Sequence, residues 1–480
     1  MASQIEKTIR SVVGKGLGMV ASHNRRKLEN ETIQNPFLSG LHRPMTREET
    51  VTDLPVTGII PAALTGRYLR NGPNPVKPPA HGSYHWFTGD AMVHGVRIED
   101  GQALWYRNRW VRSTSVSKAL SAPPVPGIRN PRADTANTNI IGHAGRIWAI
   151  VEAGGNPVEL SDTLETVAHN PFDGTLTSAF TAHPVLDPAT GELHAITYEA
   201  SVHDKVWHVV VGADGRVKRE VPIPVKDGPS IHGTAITANY ILVLDLPVTF
   251  CMPSLIAGHR FPYRWNPKHS ARIGLLPRRE GGGETIWCDV EPCYVFHPGN
   301  AFETADGKVV VDMVVHETMF DDSYFGPDAK STRLERWTID PVSRHVDRKI
   351  IDDRGQEFPR YDERLSGQPY LYLYVTALPS SSGGDLSQVG TELLRHDLDA
   401  GTTTARDFGA GRHPGEFVFV PRAAQGGEDD GWLIGLVINA ADETTDLMIL
   451  NADDFLGTPQ AVVHLAHRIP PGFHGNWIAD

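Results

Sequence analysis

The chemistry-bearing residues of this chain are its histidines, 22 in all. Several stand at the end of a short β-type run, immediately before a residue that turns the chain. These are His183-Pro184, His232-Gly233, His297-Pro298 and His474-Gly475 and, by the same test, His81, His94 and His413. A neutral imidazole offers one lone pair to a metal and one N–H to an orienting acceptor. The same side chain is equally an ordinary hydrogen-bonded core residue. Spacing does not choose among these candidates, because they are scattered along the chain and fit no local metal-ligand motif. The scatter is itself informative: ligands arriving from separated strands would converge at the axis of a closed β-structure.

The last candidate lies in the closing stretch Pro471-Gly-Phe-His-Gly-Asn-Trp-Ile-Ala-Asp480. Chain ends normally fray, yet this one holds Phe473 and Trp477 around His474. Burying two such side chains contributes about 1.5–3 kcal/mol each, against about 1–2 kcal/mol of backbone entropy for every ordered residue. The expectation is that a metal bond at His474 holds the tail, and that the β-fold forms without it.

The elements that must position these residues read as strands. Short runs rich in Val, Ile, Tyr and Trp recur from about residue 64 to the end, among them Lys205-Val-Trp-His-Val-Val-Val, Lys308-Val-Val-Val-Asp-Met-Val-Val and Arg333-Leu-Glu-Arg-Trp-Thr-Ile. Turn residues separate them, as at Asp187-Pro-Ala-Thr-Gly-Glu, Gly212-Ala-Asp-Gly and Asp340-Pro-Val-Ser, and Glu99-Asp-Gly-Gln102 predicts a hairpin. The 46 glycines and 36 prolines suit a fold of many turns. No long amphipathic helix separates successive strands, which argues against a doubly wound α/β sheet. Even recurrence of strands favours an all-β propeller over a sandwich. Residues 4–28 carry a weak helical period through Ile5, Ile9, Val12 and Val13. The organisation expected is an N-terminal arm or helix over 1–34 and one β-domain over 35–480.

Composition narrows the partners. The formal net charge is −12 and no basic block stands out, so no nucleic-acid partner is expected. No glycine-rich fingerprint implies a nucleotide. The cysteines Cys251, Cys288 and Cys293 have no metal-type spacing and read as reduced thiols in a cytoplasmic protein. Neither a signal peptide nor a membrane-spanning run is visible. Residues 246–257 form an apolar stretch that is either core or, if exposed, a patch for peripheral membrane contact.

Taken in order, seven stretches resemble those of the carotenoid cleavage oxygenase family. They are Tyr84-His-Trp-Phe-Thr-Gly-Asp-Ala-Met-Val-His, Ala182-His-Pro, Ile231-His-Gly-Thr-Ala-Ile-Thr, Phe296-His-Pro-Gly-Asn-Ala, Gly355-Gln-Glu-Phe-Pro-Arg, Pro414-Gly-Glu-Phe-Val-Phe-Val-Pro-Arg and Phe473-His-Gly. The resemblance runs from about residue 35 to 480. It implies a seven-bladed β-propeller with a helical and loop cap over an axial metal site. It further implies one non-haem Fe(2+) per chain held by His183, His232, His297 and His474, with O2 as co-substrate for alkene cleavage. Three glutamates that orient such ligands correspond to Glu152, Glu357 and Glu416, and a threonine facing an open iron position corresponds to Thr138. Many relatives carry Asp after the second histidine, where this chain has Gly233.

Two substrate classes occur in the family, long polyenes and phenolic stilbenes. The stilbene cleavers carry a Lys before the first of the three glutamates and a Tyr elsewhere in the pocket. Here Val151 precedes Glu152, and Trp110 is aligned with that Tyr. The expected substrate is therefore a lipophilic polyene, a carotenoid or apocarotenoid. A stilbene-cleaving dioxygenase, an isomerohydrolase that incorporates no O2, and a binding propeller without iron are the alternatives. Labelled oxygen and iron content separate them.

Overall fold

The computed structural model describes residues 4–131, 133–279, 281, 283–379 and 386–480, with the N-terminal helix given as backbone alone at residues 4–15 and 17. The recurring β-runs fold into seven antiparallel sheets arranged as the blades of a propeller. Four blades are simple meanders in which each strand pairs with the next one in sequence, as Pro298–Glu303, Val309–His316, Thr332–Ile339 and Val346–Asp352 do. In a fifth, Tyr240–Asp245 pairs with Arg272–Pro277 across an inserted hairpin of Val248–Phe250 and Tyr263–Trp265.

Hydrophobic pattern follows position in the blade. Val309–His316 is buried at every residue, because blades pack on both of its faces. The outer strand Val346–Asp352 has no fully buried residue. The predicted hairpin at Glu99–Gln102 is present between Ala91–Glu99 and Gln102–Trp110, and its tight turn requires Asp100 at φ 49° and Gly101 at φ 73°.

Two blades are assembled from both ends of the chain. The strand Gly475–Ala479 pairs with Gly66–Pro73, placing the C-terminus in a sheet otherwise built from residues 49–110. The N-terminal strand Val56–Gly58 pairs with Ala461–Leu465 on the outside of the sheet begun by Arg412–Pro421. Tyr68, Val96 and Tyr106 of one blade share a core with Ile434, Leu447 and Val463 of the other, so the ring is closed by hydrogen bonds and by packing. The tail is thus a ladder strand, with five residue pairs from Gly66–Ala479 to Arg70–Gly475. To the side-chain burial and metal bond expected from the sequence, the structure adds a backbone ladder that ties the tail into the fold.

The N-terminal helix Gln4–Glu29 lies outside the ring against the short helix Met252–Ala257. Asn24 Nδ2 donates to the Ile256 carbonyl and Arg25 Nε to that of Gly258. The apolar stretch 246–257 is divided. Leu246 and Val248 are core, while Met252 is 39% exposed on the short helix.

Candidate metal centre

Each of the seven blades delivers one residue to the axis from the start of its innermost strand. His474 precedes Gly475–Ala479 and Thr138 precedes Asn139–His143. His183 lies just before Val185–Asp187, His232 just before the segment bridged at Ile236, and His297 just before Pro298–Glu303. Glu357 and Glu416 lie within Gln356–Arg360 and Arg412–Pro421, each at a shift of register. A bulge re-aims a side chain that regular alternation would turn elsewhere; beside Glu357 the backbone of Phe358 takes φ 62°. Glu152 follows the second strand of a blade, Arg146–Ile150.

The four predicted histidines converge. Their ligand atoms lie within 4.8 Å of one another, and this is the group of metal-type donors found among the described residues. The Nε2 atoms of His183 and His232 are 3.0 Å apart. Ring centroids of His183 lie 4.3 Å from His474 and 4.9 Å from His297.

Behind three of the rings stand the three predicted glutamates. His232 Nδ1 is 2.6 Å from Glu152 Oε2, His297 Nδ1 is 2.6 Å from Glu357 Oε2, and His474 Nδ1 is 3.0 Å from Glu416 Oε1. At His297 and His474 the carboxylate accepts from Nδ1–H and leaves Nε2 as a lone pair turned inward; His232 Nδ1 and Glu152 Oε2 are in contact without hydrogen-bond geometry. His297 Nε2 is buried without a hydrogen-bond partner. An orphaned lone pair amid three other imidazoles is what a metal would satisfy, so the residues present fit the implied ion.

The carboxylates are themselves held. Glu357 Oε1 accepts from His316 Nε2 at 2.7 Å and Oε2 from the Phe358 amide at 2.8 Å. Glu416 Oε2 accepts from the Gly475 amide at 2.8 Å, and Arg360 approaches Oε1 at 3.4 Å. Glu152 Oε1 accepts from the Tyr198 hydroxyl at 3.1 Å, which also meets Ser230 Oγ. Burial pushes the Glu416 carboxyl up, but Arg360, His474 and the Gly475 amide outweigh it and bring it down to about 2. Burial likewise opposes ionisation of Glu357, and His297 and His316 overcome it, holding it below the usual carboxylate range. Burial, then the neighbouring imidazoles, holds His183 well below the ordinary histidine value. Burial lowers His297 to about 4 against the pull of Glu357. These rings are neutral at physiological pH, as ligands must be.

Thr138 is buried beside the centre. Its carbonyl accepts from the His474 amide at 3.2 Å, and its hydroxyl donates to Asn137 Oδ1 at 3.1 Å. The other pattern candidates have ordinary partners. His81 Nδ1 accepts from the Asn35 amide, His94 Nδ1 meets the Tyr106 hydroxyl and His413 Nδ1 meets the carbonyls of Val389 and Gly390. Gly233 sits where an added Cβ would come within 2.5 Å of the Phe296 carbonyl, so an Asp there requires a different loop. Sequence reasoning missed His316, Tyr198 and Arg360. His316 and Tyr198 stand in or beside ordinary β-runs that no local signal marks, whereas Arg360 closes the stretch Gly355-Gln-Glu-Phe-Pro-Arg, which marks its place but not its role.

A cavity of about 660 Å³ opens onto His232, His297 and His474. Val151, Phe87, Phe261 and Phe296 are among its walls. Trp110 is not: it is buried against Met92 and Val116 and donates its Nε1–H to the Asn74 carbonyl. Of the two positions used to infer substrate class, Val151 lines the cavity, and Trp110 is corrected to a structural residue.

A seven-bladed propeller with carboxylate-backed imidazoles at its axis defines an axial metal-type centre on an all-β ring. The family described as retinal pigment epithelial membrane protein matches residues 42–479. The carotenoid cleavage oxygenase of Mycobacterium tuberculosis is 42% identical, over 92% of this chain and 97% of its own. Cobalt-substituted apocarotenoid oxygenase of Synechocystis superposes with a TM-score of 0.80 at 28% identity, over 91% and 97% of the two chains. Lignostilbene dioxygenase of Pseudomonas brassicacearum gives 0.83 at 28% identity, over 93% and 99%. The chain belongs to the carotenoid cleavage oxygenase family and is an oxygenase.

Proposed function

We propose that this protein is a non-haem iron(II) dioxygenase. It would cleave one C=C bond of a carotenoid or apocarotenoid with O2, giving two aldehyde or ketone products. The observation that carries the reading is the four-imidazole cluster, three of its rings backed by carboxylates and His297 Nε2 lacking any other partner. His183, His232, His297 and His474 are assigned as the ligands of one Fe(2+). Ferrous iron held there would supply the electrons that activate O2. Glu152, Glu357 and Glu416 fix three rings in the tautomer that presents Nε2. Thr138 closes the wall beside His474 and limits entry of water.

Val151 and the aromatic walls supply an apolar lining suited to a polyene, and no lysine stands before Glu152 to receive a phenol oxygen. The cavity is lined by residues of both external helices, including Arg25 and Leu255. Met19 and Val20, 70% and 46% exposed, and Met252 offer apolar side chains on those helices. We assign to them a peripheral contact with the membrane from which a lipid-dissolved substrate would enter.

The test is incubation of iron-loaded protein with carotenoids, apocarotenals and hydroxystilbenes under 18O2, followed by mass analysis. Labelled aldehydes from a polyene are the expected result. Cleavage of hydroxystilbenes alone would replace the substrate class, products without label would replace the reaction, and failure to hold iron would remove the iron assignment.

A further inference from the structure

One cation in the cavity wall has no counter-charge. Arg70 lies on the strand Gly66–Pro73, paired with Gly475 on one side and His94 on the other, and is 7% exposed. Its Nη2 donates to the Pro470 carbonyl at 2.9 Å, while its Nε is buried with no hydrogen-bond partner. Among the described residues no carboxylate forms an ion pair with it. The titratable groups that face it are Tyr68 and Tyr106 beside it on the sheet, with His94 on the paired strand. Burial raises both phenols and lowers the imidazole, so all three are neutral. Burial lowers the guanidinium itself to about 10, which leaves it charged at neutral pH.

Leaving a buried cation unpaired is costly, and partner-free guanidinium donors add to that cost. Other arginines in this protein show two remedies: Arg336 is bidentate to Asp312 and Arg348 reaches Glu335 through two nitrogens, whereas Arg406 and Arg468 each rest on two backbone carbonyls. Arg70 has instead a cavity. It lines the same space as the histidine centre, beside Pro470. The cavity's other arginines, Arg25 and Arg260, belong to or follow the external helices, so Arg70 is the buried guanidinium of this wall.

We propose that Arg70 is the anchor of a polar subsite that receives the terminal carboxylate of a polyene acid, with the hydrocarbon chain running along the cavity past the histidines. The subsite rests on the polyene reading given above and deepens it. A carboxylate matches the planar fork of a guanidinium and neutralises it, and a charge-assisted bond of this kind is about twice as strong as a neutral one. A methyl ester keeps the chain and loses the charge.

The test measures binding to metal-free protein, so it does not depend on turnover. Quenching of tryptophan fluorescence gives Kd for an all-trans C20 polyene carboxylic acid and for its methyl ester. The wild-type protein should bind the acid about 10–100-fold more tightly, as expected for one charge-assisted pair of about 1.5–3 kcal/mol. Arg70→Gln should bring that ratio to about one, and Arg70→Lys should retain part of it. Should Arg70→Gln fail to fold, Arg70→Lys decides: a ratio unchanged from wild type overturns the assignment to Arg70. Equal binding of acid and ester, or tighter binding of the ester, overturns the subsite. Absence of binding by either probe overturns the polyene reading together with it.

Discussion

The three carboxylates behind the imidazoles are not equivalent. Glu357 accepts from His297, His316 and a backbone amide, and Glu416 accepts from His474 and the Gly475 amide. The metal-facing rings and the Gly475 amide cannot reverse their roles, so a glutamine at Glu416 turns an N–H toward a fixed N–H. At Glu357, His316 can shift its proton to Nδ1, which meets Thr332 Oγ1, and accept at Nε2 instead. At Glu152 the second oxygen meets the Tyr198 hydroxyl, which can rotate to accept instead. Glu416→Gln should therefore lower iron affinity or turnover by about 10–100-fold, and Glu357→Gln and Glu152→Gln by less. Iron titration of the three variants checks the order; equal effects, or none, would show that the carboxylates do not orient the rings. Alanine at His183, His232 or His297 should abolish stoichiometric iron binding altogether.

The same residues make the metal-free protein sensitive to acid. His297 is lowered by burial to about 4, so below the ordinary histidine value of about 6.5 the unfolded chain takes a proton that the folded chain refuses. Its contribution is fully present above about 6.5 and is lost as pH falls toward about 4. Glu416 is held down to about 2, so its contribution is fully present above about 4.3 and is lost as pH falls from there toward about 2. Both act in one direction. Urea midpoints of the metal-free protein should decline steadily from pH 7 to pH 4 and fall further below it. A midpoint that is flat or rises over that range would contradict the neutral, buried assignment of His297.

Among the elements, the C-terminal strand has most at stake. Besides its ladder, Asn476 Nδ2 donates to the Ile140 carbonyl of the next blade and Arg97 Nη2 to Asp480. Chelating the metal should leave the amides of Asn476, Trp477 and Ile478 slow to exchange, since none of these bonds involves the imidazoles. Deleting residues 471–480 should do more than remove a ligand. It strips the edge Gly66–Arg70 and unseals a blade, a loss comparable to a marginal domain stability of about 5–15 kcal/mol. The truncated chain is expected to be insoluble or to melt far below the full-length protein. Rapid exchange of the strand on chelation, with a truncated propeller that still folds, would return the tail to the role of a metal-held appendage.

Across the whole molecule, the external helices separate substrate delivery from chemistry. The helix Gln4–Glu29 is tied to the ring through the short helix Met252–Ala257, not through the axial centre. A chain lacking residues 1–32 should therefore keep its iron while losing sedimentation with phospholipid vesicles and turning over vesicle-borne polyenes several-fold more slowly. Unchanged vesicle binding would place the membrane contact elsewhere.

What the sequence determined by itself was local chemistry and class. Strand periodicity and dense turns give an all-β chain, and the motifs Ala182-His-Pro, Ile231-His-Gly, Phe296-His-Pro and Phe473-His-Gly, taken in order, identify the family. The same resemblance singles out the histidines and glutamates that the structure brings together. Each such signal is carried within a few residues, by a side chain and the turn beside it. Convergence was decided only by tertiary structure. Glu357 and Glu416 reach their rings because bulges in two inner strands re-aim them, and a bulge depends on the partner strand. His316, Tyr198 and Arg360 act across blades; nothing in the neighbourhoods of His316 and Tyr198 distinguishes them from core residues, and the stretch that ends at Arg360 does not show that it reaches Glu416. Trp110 shows the opposite error: an aligned position is not a cavity position, and the packing of Met92 and Val116 takes it away. The role of the tail turned on pairing between the two ends of the chain. Such pairing is the most non-local contact a fold can make, and no local pattern in the sequence encodes it.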